Sequence, residues 1–170
     1  MRRLRLAIAL GATLALIAGG VALARPAPQA NSGSPVFVAQ LSGDSELPAV
    51  DTNTSGMASF RVQGGELGYL LEIEDGVDIF AVAGAHIHCG AEDENGPVAV
   101  FLAGAIPPNG LDGDIRIGAS IDDDSILPTD CGDTLGELVQ SMRDGLTYVN
   151  VHSAANPSGE VRGQIHQRGR

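Results

Sequence analysis

The chain has no tryptophan and no lysine, and only two cysteines, two tyrosines and four phenylalanines in 170 residues. Aromatic residues make up 4% of it, which leaves little material for the stacking platforms that hold single-stranded nucleic acid. With lysine absent, ten arginines stand against 21 acidic residues, for a net charge of -11. That balance excludes a DNA duplex or an anionic membrane surface as a natural partner. The 23 glycines lack the every-third-residue period of collagen, and 44% hydrophobic content is too high for a disordered chain. No phosphate-cradling or dinucleotide-binding glycine motif occurs. Ser153 follows His152, but no G-x-S-x-G elbow exists, and no catalytic residue is assigned. The acidic turns Asp93-Glu94-Asn95-Gly96, Asp112-Gly113-Asp114 and Asp122-Asp123-Asp124 lack the EF-hand spacing and read as solvated loops.

What is present begins with an export signature. Arg2, Arg3 and Arg5 precede an uninterrupted run of apolar and small residues from Leu6 to Ala24, which ends in the A-x-A pattern Ala22-Leu23-Ala24. Residues 1–24 are expected to be a signal peptide, with a retained N-terminal anchor as the alternative, since the run is just long enough to cross a bilayer. Membrane contact is expected only through that segment if it stays uncleaved. Residues 25–35, rich in Pro, Ser, Gly and Asn, read as a flexible linker. The expected location is periplasmic, cell-surface or secreted. In such an oxidising compartment Cys89 and Cys131 are expected to form a disulfide. Closing that loop restricts the unfolded chain by about 4 kcal/mol in the chain-entropy description.

The body, 36–168, reads as one all-β domain. Period-two alternation marks eight short strands: 36–41, 56–62, 66–74, 82–88, 97–102, 114–121, 146–152 and 160–166. Gly64-Gly65 is a hairpin signal between the second and third. Glycine-rich turns throughout point to an antiparallel β-sandwich or barrel. One segment has helical period. Thr134-x-x-Glu137 is a capping box, Leu135, Leu138, Val139 and Met142 follow at helix spacing, and Gly145 stands at the C-terminal cap, so a single helix is predicted over 134–144.

The histidines carry the candidate chemistry. His86-Ile87-His88 lies on a predicted strand, where residues two apart share a face about 6.6 Å apart and Ile87 turns to the core. In Tyr148-Val149-Asn150-Val151-His152 the same alternation places His152 with Tyr148 and Asn150. If the two strands are neighbours, His86, His88 and His152 supply three nitrogens, a set suited to copper or zinc. The competing reading is a buried polar network in which Asn150, Asn156, Glu160 and Arg162 satisfy these imidazoles. His166, near the C-terminus, reads as exposed.

Three motifs then resemble one family in order. Phe37-Val38-Ala39-Gln40-Leu41-Ser42-Gly43 with Glu46-Leu47-Pro48-Ala49-Val50 and Gly56 opens the pattern. Ala85-His86-Ile87-His88 and Gly96 to Leu102 form its centre, and Tyr148 to Ala154 with Asn156 to Ile165 closes it. Together they resemble a CHRD (chordin-type) domain over about 36–166. The resemblance implies a secreted all-β domain and offers no established catalytic residue to carry over. Repeated in animal chordin, such domains bind growth factors outside the cell; a lone domain behind a bacterial-style signal does not inherit that role. The stretch 105–133 has no place in the family pattern. Separately, Gly84-Ala85-His86-Ile87-His88 resembles the H-x-H strand of copper-zinc superoxide dismutases, although the further His and Asp of their zinc half are absent in the required spacing.

The resulting expectation is an exported, non-enzymatic CHRD-type β-domain with a binding or structural role. Its partner would be an extracellular or periplasmic protein or polysaccharide. The alternative is a copper- or zinc-binding protein using the histidine cluster, in its strongest form dismutase-like.

Overall fold

A computed structural model describes residues 34–169. The expected signal peptide or anchor and nearly all of the linker lie outside the described residues. The strands are β1 (Val36–Ser42), β2 (Ser55–Gln63), β3 (Glu66–Ile79), β4 (Ala85–Cys89), β5 (Val98–Ala103), β6 (Leu111–Ile121), β7 (Thr147–Val151), β8 (Val161–Gln164) and the two-residue β9 (His166–Gln167). They form an antiparallel sheet in the order β5-β4-β7-β8-β1-β2-β3-β6, with β9 added to β1. The sheet curls until its ends nearly meet. Val100 of β5 bridges Ile126, just beyond β6, and the Leu127 amide donates to the Ala99 carbonyl at 2.8 Å. The architecture is the expected all-β barrel or sandwich, nearly closed.

Alternation decides which residues fill it. Phe37, Ala39 and Leu41 of β1, Leu67, Leu71 and Ile73 of β3, Ile87 of β4 and Val149 and Val151 of β7 are all buried in one core. The helix α1 (Leu135–Arg143) caps that core with Leu135, Leu138, Val139 and Met142. The Thr134 hydroxyl accepts from the Glu137 amide, while the Glu137 carboxylate accepts from the Asp133 amide and the Thr134 hydroxyl. The expected box therefore reaches one residue further back than the usual reciprocal pair. Gly145, at φ 71°, ends the helix in the left-handed conformation.

Three strand boundaries differ from the sequence reading by three residues or more. Glu74-Asp75-Gly76 is not a strand end: irregular register steps carry β3 on to Ile79, with Asp75, Asp78 and Phe80 at positive φ. Asp114 and Asp112 accept from the Asp75 and Asp78 amides. These acids thus serve the backbone in a stretch read as solvated loop, and β6 starts at Leu111 rather than 114. Likewise β4 starts at Ala85, not 82, because Gly84 turns the chain at φ 85° where an added Cβ would lie 2.0 Å from the Ala103 carbonyl oxygen. The Cys89–Cys131 disulfide is formed, tying the end of β4 to the turn before α1.

Candidate functional site: a buried histidine cluster on the outer face of β4 and β7

Strand β7 lies between β4 and β8, with His86 opposite Asn150, His88 opposite Tyr148, and Asn150 opposite Arg162. Ile87, Val149 and Val161 face the core, so the alternate residues face outward. Outward does not mean exposed here. His86, Asn150, His152, Glu160 and Arg162 are all buried, beneath the segments around Glu46 and 90–97.

The three histidines come together. His86 Nδ1 lies 3.0 Å from His152 Nε2, and one ring nitrogen from each of His86, His88 and His152 lies within 4.8 Å of the other two. His152 directly follows β7; its carbonyl accepts from the Phe80 amide and its amide donates to the Gly84 carbonyl. Its Nδ1 is 3.0 Å from the Pro157 carbonyl, and His88 Nδ1 is 2.9 Å from the Gly96 carbonyl. A carbonyl only accepts, so both Nδ1 atoms carry hydrogen and both Nε2 atoms keep a lone pair in the neutral rings. The lone pair of His152 Nε2 then receives the proton of His86 Nδ1. His86 Nε2 and His88 Nε2 are buried without a hydrogen-bond partner.

Burial drives all three imidazoles toward the neutral form. Desolvation lowers His86 to about 4, helped by the neighbouring His152 and His88; the Ala83 carbonyl pulls the other way without reaching hydrogen-bond geometry. Desolvation also lowers His88 and His152, partly opposed by the Gly96 and Pro157 carbonyls. The Phe101 ring stands edge-on to His86 at 4.8 Å, and Tyr148 stacks on His88 at 4.9 Å.

The expected polar network exists, but it runs beside the imidazoles rather than to them. Asn150 donates to Glu46 at 2.7 Å. Glu160 accepts from Ser153, Asn156 and Thr52. Burial pushes that carboxyl up, and the hydroxyls and amide outweigh it, so its net shift is downward. Arg162 donates to the carbonyls of Ala91, Glu92 and Glu94 and to Asn95, with its guanidinium 3.5 Å over the Tyr148 ring. The residues that cap the histidines are instead main-chain carbonyls, which carry no sequence signal. His166 is exposed on β9, paired with Val38, and takes no part.

Glu46 was not assigned a role from sequence. It is buried, and desolvation raises its carboxyl to about 7 against the opposing pull of Arg162, the Leu47 amide and Asn150. Its place in Glu46-Leu47-Pro48 was visible as motif, but nothing in composition or spacing shows that a charged residue there turns inward.

Among the described residues, the three histidines are the only cluster of three or more His, Cys, Asp or Glu side chains with metal-ligand spacing. The further ligands of a dismutase-type zinc half have no counterpart beside them. Ser153 gives its hydroxyl hydrogen to Glu160, and His152 Nε2 faces His86, so no serine–histidine pair forms.

Fold and site define a disulfide-closed β-barrel module whose reactive side chains lie under loops on the outer face of one half. The sequence model of the CHRD domain matches residues 37–165, and the chain belongs to the CHRD-domain family. No curated protein matches the chain as a relative.

Proposed function

We propose that this protein is exported and acts outside the cytoplasm as a non-catalytic binding module, with a protein or polysaccharide as its partner. The Cys89–Cys131 disulfide carries this reading. It joins residues 42 apart in sequence, no cysteine among the described residues is free, and such bonds persist in oxidising compartments. CHRD domains are typically extracellular, and the Arg-rich start, apolar run and A-x-A pattern of residues 1–24 support the same location. The net charge of -11 favours solubility and disfavours nucleic acid. No helix among the described residues is long and apolar enough to cross a membrane. The lack of turnover is supported by a serine and carboxylates committed to internal hydrogen bonds.

The test is to express the full chain in a bacterial host, fractionate the cells and label free thiols before and after reduction. The reading requires protein in the periplasmic, surface or secreted fraction with thiols that react only after reduction. Cytoplasmic protein with both thiols reactive would overturn it.

A further inference from the structure

We propose that His86, His88 and His152 form a binding site for a single copper ion on the outer face of β4 and β7. The donor set is already assembled: three ring nitrogens mutually within 4.8 Å, from strands whose register is fixed by continuous pairing between Ala85–Cys89 and Thr147–Val151. A metal–nitrogen bond of about 2.0 Å sets neighbouring ligand nitrogens about 3.3 Å apart around a tetrahedral ion. His86 Nδ1 and His152 Nε2 stand at 3.0 Å, close to the spacing a shared ion needs once the His86 proton has moved to Nε2, and the third nitrogen closes in from no more than 4.8 Å.

Orientation supports the same conclusion. The Gly96 and Pro157 carbonyls fix the Nδ1–H of His88 and His152 and leave Nε2 of both as the bare donor, the outer-sphere arrangement that metal-bound histidines show. His86 Nε2 and His88 Nε2 are buried acceptors with nothing to accept from, and a structure retains such groups at a cost unless something occupies them. The ion replaces one contact, the His86–His152 hydrogen bond. His86 then binds through Nε2 after a ring rotation, or through Nδ1 after its proton moves to Nε2, and neither route releases a proton from the protein.

The chemistry of the donors selects the ion. Three neutral imidazoles suit copper and zinc. Magnesium and calcium want oxygen ligands, whereas the nearby carboxylates of Glu46 and Glu160 are engaged in hydrogen bonds with Asn150 and with Ser153, Asn156 and Thr52. Both cysteines are in the disulfide, so no thiolate competes. Of the two remaining ions, the divalent affinity order favours copper over zinc. This inference does not depend on where the protein resides.

The test loads the untagged full chain with one equivalent each of Cu2+ and Zn2+, removes loose metal by gel filtration and measures both metals per chain by mass spectrometry. His86→Ala and His88→Gln are compared with His166→Ala. The expected result is close to one copper per chain in the wild type and in His166→Ala, with copper lost in the other two. No retained copper, zinc held in place of copper, or copper unchanged in His86→Ala and His88→Gln would overturn the site. Electron paramagnetic resonance of the copper-loaded wild type keeps the test independent of variant folding. Coupling to three imidazole nitrogens is expected, and fewer than three would overturn the three-histidine assignment.

Discussion

The two halves of the barrel use their outer faces in opposite ways. On the β2-β3-β6 side, alternation is the ordinary kind for a sheet wet on one face: β6 buries only Ile115 and Ile121, and β2 only Ala58 and Phe60. A shallow groove bordered by Val38, Met57, Ser59 and Leu70 stays open to solvent there. On the other side β7 buries all five of its residues and β8 three of four, because loops fold over the outer face. Covering a sheet face with polar side chains on it is costly unless each finds a partner. Arg162, Asn150, Glu160 and the histidines are therefore the residues for which the molecule must supply partners; Nε2 of His86 and His88, like Oδ1 of Asn150, has none.

Arginines from the two halves make the sharpest contrast. Arg162 is 1% exposed and holds three carbonyls of the 90–97 segment, whereas Arg61 lies exposed on β2. Arg162→Ala is expected to cost about 3–5 kcal/mol in urea unfolding, since it empties the space of a fully buried side chain and removes the hydrogen bonds that hold the 90–97 segment. Arg61→Ala should stay within about 0.5 kcal/mol. Equal costs would erase the distinction between covered and open faces.

Next in size is the staple. Cys89→Ser with Cys131→Ser is expected to cost about 4 kcal/mol from loop entropy. Hydrogen exchange should place the loss of protection first at 89–97 and around α1, beside the bond. Uniform loss including β2 and β6 would contradict a local role.

A third test uses Glu46. Its carboxyl, raised to about 7 in the folded protein, is near its ordinary value when unfolded. The folded state thus takes up a proton between those two values. The stabilisation is complete below about pH 4.5 and is lost as pH rises through about 7, by about 2 kcal/mol once partial solvent screening is allowed for. Glu46→Gln keeps an oxygen to accept from Asn150 and should flatten that slope in pH-dependent unfolding. A slope that persists would mean Glu46 does not supply it. The smallest effect belongs to the open half: Glu72 and Arg116 pair at 3.2 Å across β3 and β6, with Arg116 69% exposed. Arg116→Ala should change the unfolding free energy by less than about 0.5 kcal/mol.

The same contrast explains how much was legible in the sequence. Alternation identified strands wherever one face is wet, as in Leu67, Tyr69, Leu71 and Ile73 of β3. Period two also put His86 and His88 on one face and joined them to His152 once β4 and β7 proved adjacent. It was silent on what lies above that face, because a covering loop leaves no period in the strand beneath it. Glu46 reaches the site from a loop, the Phe101 ring from the neighbouring strand β5, and the Gly96 and Pro157 carbonyls through main-chain atoms, none of which composition encodes. The extension of β3 to Ile79 was hidden for a related reason: Asp75 and Gly76 carry turn chemistry that here serves register steps inside a strand.

The central claim is that this covered face ends in a metal site made by three histidines. Anomalous diffraction at the copper edge from copper-soaked crystals addresses it most directly. The account predicts one peak within bonding distance, about 2 Å, of a ring nitrogen of each of His86, His88 and His152. A peak elsewhere on the molecule, or none, with the His86–His152 hydrogen bond intact, would contradict it.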